Sequence, residues 1–127
     1  LGFEGMSLER VFGWVGAPLA FLLGVPWDDA RTVGSLLATK TVINEFVAYQ
    51  QLAGILDKGE LMHAKSAVIA SYALCGFSNF CSIGIQIGGI AAMAPGRRGE
   101  IARIGLLAMI CGSLATFQTA AIAGLFL

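Results

Sequence analysis

Glu45 is a carboxylate inside an apolar run, TVGSLLATKTVINEFVAYQQLAGIL over residues 32–56, whose other charge is Lys40. Ionisable groups at membrane depth are costly to bury and mark ligand sites, ion paths or structural pairs. Further along, Asn79 and Ser82 stand three residues apart in sequence as apolar, so a helical turn directs both to one side. Phe77 and Phe80 flank Asn79. A carboxylate accepts paired hydroxyl donors, and an amide both donates and accepts. With a hydroxyl and an aromatic wall beside them, these groups suit a neutral polyhydroxylated ligand with a flat apolar part. Plainer readings stay open. Glu45 can pair with Lys40, although a spacing of five aligns them poorly on a continuous helix. Asn79 and Ser82 can serve as interhelical hydrogen bonds, and the phenylalanines as packing.

Other reactive types point to less. His63 lies in a charged segment, residues 57–65, and reads as solvated; Asp28, Asp29 and Arg31 read as a solvated helix start. Cys75, Cys81 and Cys111 are an odd set without metal-ligand spacing, expected to be reduced packing residues. No nucleophile–base pair, phosphate loop or zinc spacing occurs, so the chain reads as a non-enzyme without a cofactor or metal.

The elements that must carry these groups are apolar. Hydrophobic residues make up 57% of the 127 and charged residues only 13%, against roughly 25% in ordinary globular domains. Mean hydropathy is +0.79. A small soluble protein this apolar lacks the polar residues to cover its core. A formal net charge of zero gives no footing for nucleic acid. The chain begins at Leu1 with no signal-peptide pattern, and is expected to be a fragment or a processed product.

Residues 66–96 and 104–127 are uncharged and long enough to cross a bilayer, which takes about 20 apolar residues. Between them, Arg97, Arg98 and Arg103 against Glu100 make the most basic loop, which the positive-inside rule puts in the cytoplasm. Leu127 and the 57–65 loop then fall on the outer side. The first stretch is interrupted by Gly76, Ser78, Asn79 and Ser82, which either break the helix or face a neighbour on a continuous one. Gly84, Gly88, Gly89, Gly105, Ala108 and Gly112 are small residues suited to close helix packing. Residues 32–56 form either one span with both charges near its centre or two half-helices meeting near 41–44. In the second case Asn44 is a good N-cap and Glu45 falls in the first turn after it. Residues 11–27, broken by Pro18, Gly24 and Pro26 and bearing Trp14 and Trp27, read as a helix on the membrane surface with a turn at 25–29, or else as a partial span whose start lies upstream.

Four segments carry a resemblance: GVPW-DDA (24–30), K-TVINEFVAYQQL (40–52), YALCGFSNFCSIGI-IGG (72–89) and MAPGRRGEIARI (93–104). They resemble the C-terminal part of the concentrative nucleoside transporter family over essentially the whole chain. The resemblance implies an all-α membrane protein, half of an inverted-repeat transporter core. Its parts are an interfacial helix and turn (1–31), a re-entrant helical hairpin (32–57), a broken transmembrane helix (64–95) and a final transmembrane helix (101–127). It implies a multi-pass protein of the cell membrane, in the lipid bilayer, that works as a homotrimer and carries nucleosides by alternating access with Na⁺ or H⁺. The family's ribose-side residues fall on Glu45, Asn79 and Ser82, and the aromatic beside the nucleoside falls on Phe77. Ser78 stands where the family often has Ala, and Cys81 where Ser or Gly is common. Groups for the base and the coupling cation are expected mainly upstream of this chain. The other expectation is a segment that serves only membrane assembly or interaction.

Overall fold

The computed structural model describes residues 8–127, and among these every element is helical. The order is α1 (Leu8–Leu22), α2 (Trp27–Val42), α3 (Glu45–Lys58), α4 (Ala64–Leu74), α5 (Phe80–Met93), a 3-10 turn (Pro95–Arg97) and α6 (Arg98–Leu125). Residues 1–7, the start of the segment read as interfacial, lie outside the described residues.

Helix α1 continues through Pro18 instead of breaking there. The chain then turns, and the axes of Arg10–Leu22 and Trp27–Val42 are bent by 115°. The two helices cross backbone to backbone. A Cβ added to Gly34 would lie 2.5 Å from the Ala17 amide nitrogen, and one on Gly16 would run into the Gly34 carbonyl. Small residues permit this approach. Arg31 spreads over the Trp14 ring at 4.0 Å, and Trp27 meets Phe21 edge-on at 5.5 Å.

The turn expected at 25–29 falls earlier, because Pro26 is already the residue before α2 and Trp27 opens it. Asp28 and Asp29 therefore occupy the first turn of a helix, where its dipole favours anions. Asp29 is not solvated as its sequence context suggests; it is 2% exposed. Its carboxylate accepts from the Met62 amide at 2.9 Å, the His63 amide at 3.1 Å and the Ser66 hydroxyl, and contacts His63 Nδ1 at 3.1 Å. His63 is thus a half-exposed partner of Asp29. Asp29 supplies acceptors for amides at the start of α4, where helices leave such donors unpaired. Because Met62 and His63 follow α3, this carboxylate also ties the far end of α3 to the start of α2. The two helices are a hairpin closed at its base by Asp29 and turning at Ile43 and Asn44.

Against the hairpin lies α4, and the core gathers where these helices meet α1 and α6. It is built of Val33, Leu36, Leu37, Ala48, Leu52, Ile69, Ala70, Leu74 and Ala120, all buried. After Leu74 the helix stops, residues 75–79 are not helical, and α5 resumes at Phe80. Gly76 sits there with φ of 138°, a conformation other residues rarely adopt, and a Cβ would lie 2.5 Å from the Thr116 methyl. Helix α6 and the turn before it, Pro95–Leu125, are long and apolar enough to cross a membrane, with a hydropathy of 1.7 over the most apolar window. Large apolar side chains point away from the core along it, among them Leu107, Leu114 and Leu125. Of the small residues expected to pack, Gly105 meets Ile83 and Gly112 meets Ser78, whereas Gly84, Gly88 and Gly89 face no neighbour among the described residues.

Two predictions follow from these contacts. Gly34→Ala forces backbone against backbone at the α1–α2 crossing and is expected to cost roughly 2–4 kcal/mol, read as a lower unfolding temperature of the detergent-solubilised protein. For Asp29, burial pushes the carboxyl up, but the hydrogen bonds from Ser66, Met62 and His63 outweigh it and hold it below the usual aspartate value. A lowered folded value means the stabilisation is complete above the unfolded pKa of about 3.9 and is lost as pH falls through the folded one. The unfolding temperature of the unaltered protein should therefore decline below about pH 4. Asp29→Asn should start lower at neutral pH and lack that component of the decline.

Candidate functional site

The breaks in the hairpin and in the α4–α5 pair meet, and each is organised by an asparagine. Asn44, in extended backbone, caps α3 by accepting from the Val47 amide at 2.9 Å. Asn79, also extended, caps α5: its Oδ1 accepts from the Ser82 amide at 2.8 Å. The same oxygen accepts from the Ser82 hydroxyl at 2.8 Å. An N-cap leaves the asparagine NH₂ free to act elsewhere, and that of Asn79 donates to Glu45 Oε2 at 2.7 Å. A charge-assisted bond of this kind is about twice as strong as a neutral one. Ser82, Asn79 and Glu45 form one chain of bonds linking the first turn of α5 to the first turn of α3.

Asn79 is fully buried and Ser82 is 2% exposed, while Glu45 is half-buried. Glu45 lies in the first turn of α3, where the helix dipole favours its anion. Its second oxygen has no bond to a neighbouring side chain among the described residues. Phe77, two residues before Asn79, presents 56% of its surface. Beside it a cleft of about 240 Å³ is lined by Phe77, Ser78, Asn79, Ser82 and Gln86 on one wall and Gly105 and Gly112 on the other. The Ser78 hydroxyl, 6% exposed and facing this cleft, is buried without a hydrogen-bond partner.

Lys40 does not bond to Glu45. Its ammonium is fully buried and donates to the Ala73 carbonyl at 2.9 Å and to Thr116 Oγ1 at 3.2 Å, with the Phe117 ring 5.5 Å away. Sequence spacing gave no sign of partners 33 and 76 residues away. Tyr49 was equally unmarked, and its hydroxyl donates to the Ser71 carbonyl at 2.7 Å. The three cysteines are unpaired and exposed on this chain, not packed in its core. Among the described residues no group of three or more His, Cys, Asp or Glu could hold a metal ion.

Two interrupted helical pairs joined at their polar breaks give an all-α fold of the discontinuous-helix kind. The sequence model described as Na⁺ dependent nucleoside transporter C-terminus matches residues 1–124, and the chain belongs to that family. It is similar to a protein described as uncharacterized transporter YutK of Bacillus subtilis (strain 168), 48% identical over 126 residues, covering 99% of this chain and 30% of that protein. It is 40% identical over 134 residues to sodium/nucleoside cotransporter 1 of Mus musculus, covering 96% of this chain and 21% of that one. Among solved structures, CNTnw in an inward-facing substrate-bound state superimposes with a TM-score of 0.89 at 45% identity, covering 95% of this chain and 30% of CNTnw. CNTnw N149L in its intermediate 1 state gives 0.93 at 43% identity, over 99% of this chain and 31% of that one. The chain thus spans about a third or less of the relatives it matches.

Asn79→Ala removes the cap of α5 and the donor to Glu45 together. The expected cost is roughly 2–5 kcal/mol. Thermal unfolding of the solubilised protein, compared with Asn44→Ala, which removes a cap alone, measures it: the Asn79 loss should be the larger.

Proposed function

We propose that this chain supplies the ribose-binding half of the substrate site in a cation-coupled nucleoside symporter. The observation that carries the reading is the 2.7 Å bond from Asn79 Nδ2 to Glu45 Oε2. It uses one oxygen of the carboxylate and orients the other, leaving an anionic acceptor for sugar hydroxyls. Ser82 donates its proton to Asn79, so its oxygen lone pairs remain available to accept from a hydroxyl. Phe77 offers an exposed ring to the flat part of a nucleoside. Relatives described as sodium/nucleoside cotransporters, and the likeness to CNTnw in a substrate-bound state, support the same substrate class.

In this reading the chain is embedded in the cell membrane. Helix α1 lies in the interface, α2 and α3 enter and return as a re-entrant hairpin, α4 and α5 form a span unwound at residues 75–79, and α6 crosses fully. The basic turn around Arg97 faces the cytoplasm. Residues upstream of this chain complete the cage and hold the coupling Na⁺ or H⁺, and three protomers assemble, each with its own site. Transport follows from differential binding: nucleoside and cation together favour states that carry the site from one face to the other.

Glu45→Gln keeps the shape and removes the charge. In the full-length protein it is expected to lower uridine or adenosine uptake by at least about tenfold while leaving the amount inserted in the membrane unchanged; a charged hydrogen bond lost to each hydroxyl accounts for that factor. Radiolabelled uptake normalised to surface protein measures it. Normal uptake would remove Glu45 from the site and leave the chain as a membrane assembly segment.

A further inference from the structure

Lys40 is fully buried, and no carboxylate lies within ion-pairing distance of it among the described residues. A cation in that situation is strongly destabilised unless the surroundings supply negative potential. Two helix ends supply it, together with the charge of Glu45 acting through space. Lys40 is in the last turn of α2, and its ammonium bonds the Ala73 carbonyl in the last turn of α4. Each helix C-terminus carries about half a negative charge, so two of them together balance roughly one ammonium. Glu45 stands in the mirrored position. It belongs to the first turn of α3 and bonds the cap residue of α5, so two helix N-termini face its carboxylate. The two charges, five residues apart, therefore serve opposite poles of the same pair of breaks, each matched by helix ends.

The carbonyls at the end of α4 are shared out in keeping with this. Ser71 is bonded by Tyr49 from α3, Tyr72 by the Cys75 amide and Ala73 by Lys40 from α2. Both arms of the hairpin thus hold the end of α4, and Lys40 adds α6 through Thr116. Residues 75–79 run directly from that fixed end to Asn79.

We infer that Lys40 is a positioning residue for the substrate site: it anchors the end of α4 so that Asn79 and Ser82 are held against Glu45. It bonds Ala73 and Thr116 rather than Asn79 or Ser82, and acts through the backbone between Ala73 and Asn79. The inference rests on the nucleoside-site reading above and names a residue outside the ligand's reach.

The test is nucleoside uptake kinetics in the full-length protein, with surface amount measured in parallel. Lys40→Met is expected to raise KM for uridine or adenosine at least tenfold, with Vmax per inserted molecule within about threefold of the unaltered protein. Thr116→Val, which removes one of the two bonds, should raise KM two- to fivefold. A purely structural lysine would instead lower the inserted amount and Vmax with KM unchanged, and that result overturns the inference. If Lys40→Met fails to reach the membrane, Thr116→Val decides: an unchanged KM overturns it and a raised one supports it. Normal uptake by Glu45→Gln would fail the underlying site reading. Loss of uptake by that variant beside an unchanged KM in Lys40→Met would fail this inference alone.

Discussion

An interrupted helix releases backbone amides and carbonyls, and each needs a partner. Two such interruptions occur here, at Ile43–Asn44 and at residues 75–79, and the rest of the structure is arranged around pairing what they release. Amides at the resumed helices go to Asn44 and Asn79. Carbonyls at the end of α4 go to Tyr49, Cys75 and Lys40. Each resumed helix is capped by its own asparagine, while the end of α4 depends on Tyr49 and Lys40 from the hairpin and Glu45 depends on Asn79. That mutual dependence brings Glu45 and Asn79 within 2.7 Å.

The polarity of the arrangement has a simple origin. Both interruptions place a C-terminal end and then an N-terminal end in quick succession, and each end carries a partial charge of fixed sign. Placing an anion after the break and a cation before it is the low-energy assignment. The sequence K-T-V-I-N-E over residues 40–45 follows that order. Lys40 and Glu45 act on one another through space but share no bond, and each is bonded at helix ends instead. A carboxylate balanced by dipoles keeps lone pairs that a lysine partner would have taken.

Local chemistry made much of this legible in the amino-acid sequence. Asn44 is a residue type that caps helices, so the helix start at Glu45 is readable from a single position, whereas Asn79 reads only as an interruption or an interhelical bond until the structure shows it capping α5. The uncharged run 104–127 gave the last helix nearly whole, the structure adding only the residues from Arg98 that precede it. Beyond local reach the reading failed. Asp29 looks like a solvated first-turn acid because its partners, Met62, His63 and Ser66, lie more than thirty residues away. The first arm of the hairpin, expected from residue 32, begins at Trp27, because the charges of 28–31 give no sign that Asp29 has buried partners. The roles of Thr116 and Tyr49 follow from packing between helices, which no periodicity encodes.

The crossing of α1 on α2 carries a consequence for motion. Where Gly16 and Gly34 touch, there are no side chains to change rotamer, and two backbones in contact can neither roll nor slide without losing the fit. Helix α1 is therefore fixed to the first arm of the hairpin as a flange is fixed to a shaft. A rigid-body displacement of the hairpin therefore carries Trp14 and Trp27 with it. Those indoles favour one depth in the lipid headgroup layer. With α1 in the interface as proposed above, the thickness of the bilayer would enter the energy of moving the hairpin, as an elastic term set by the lipid.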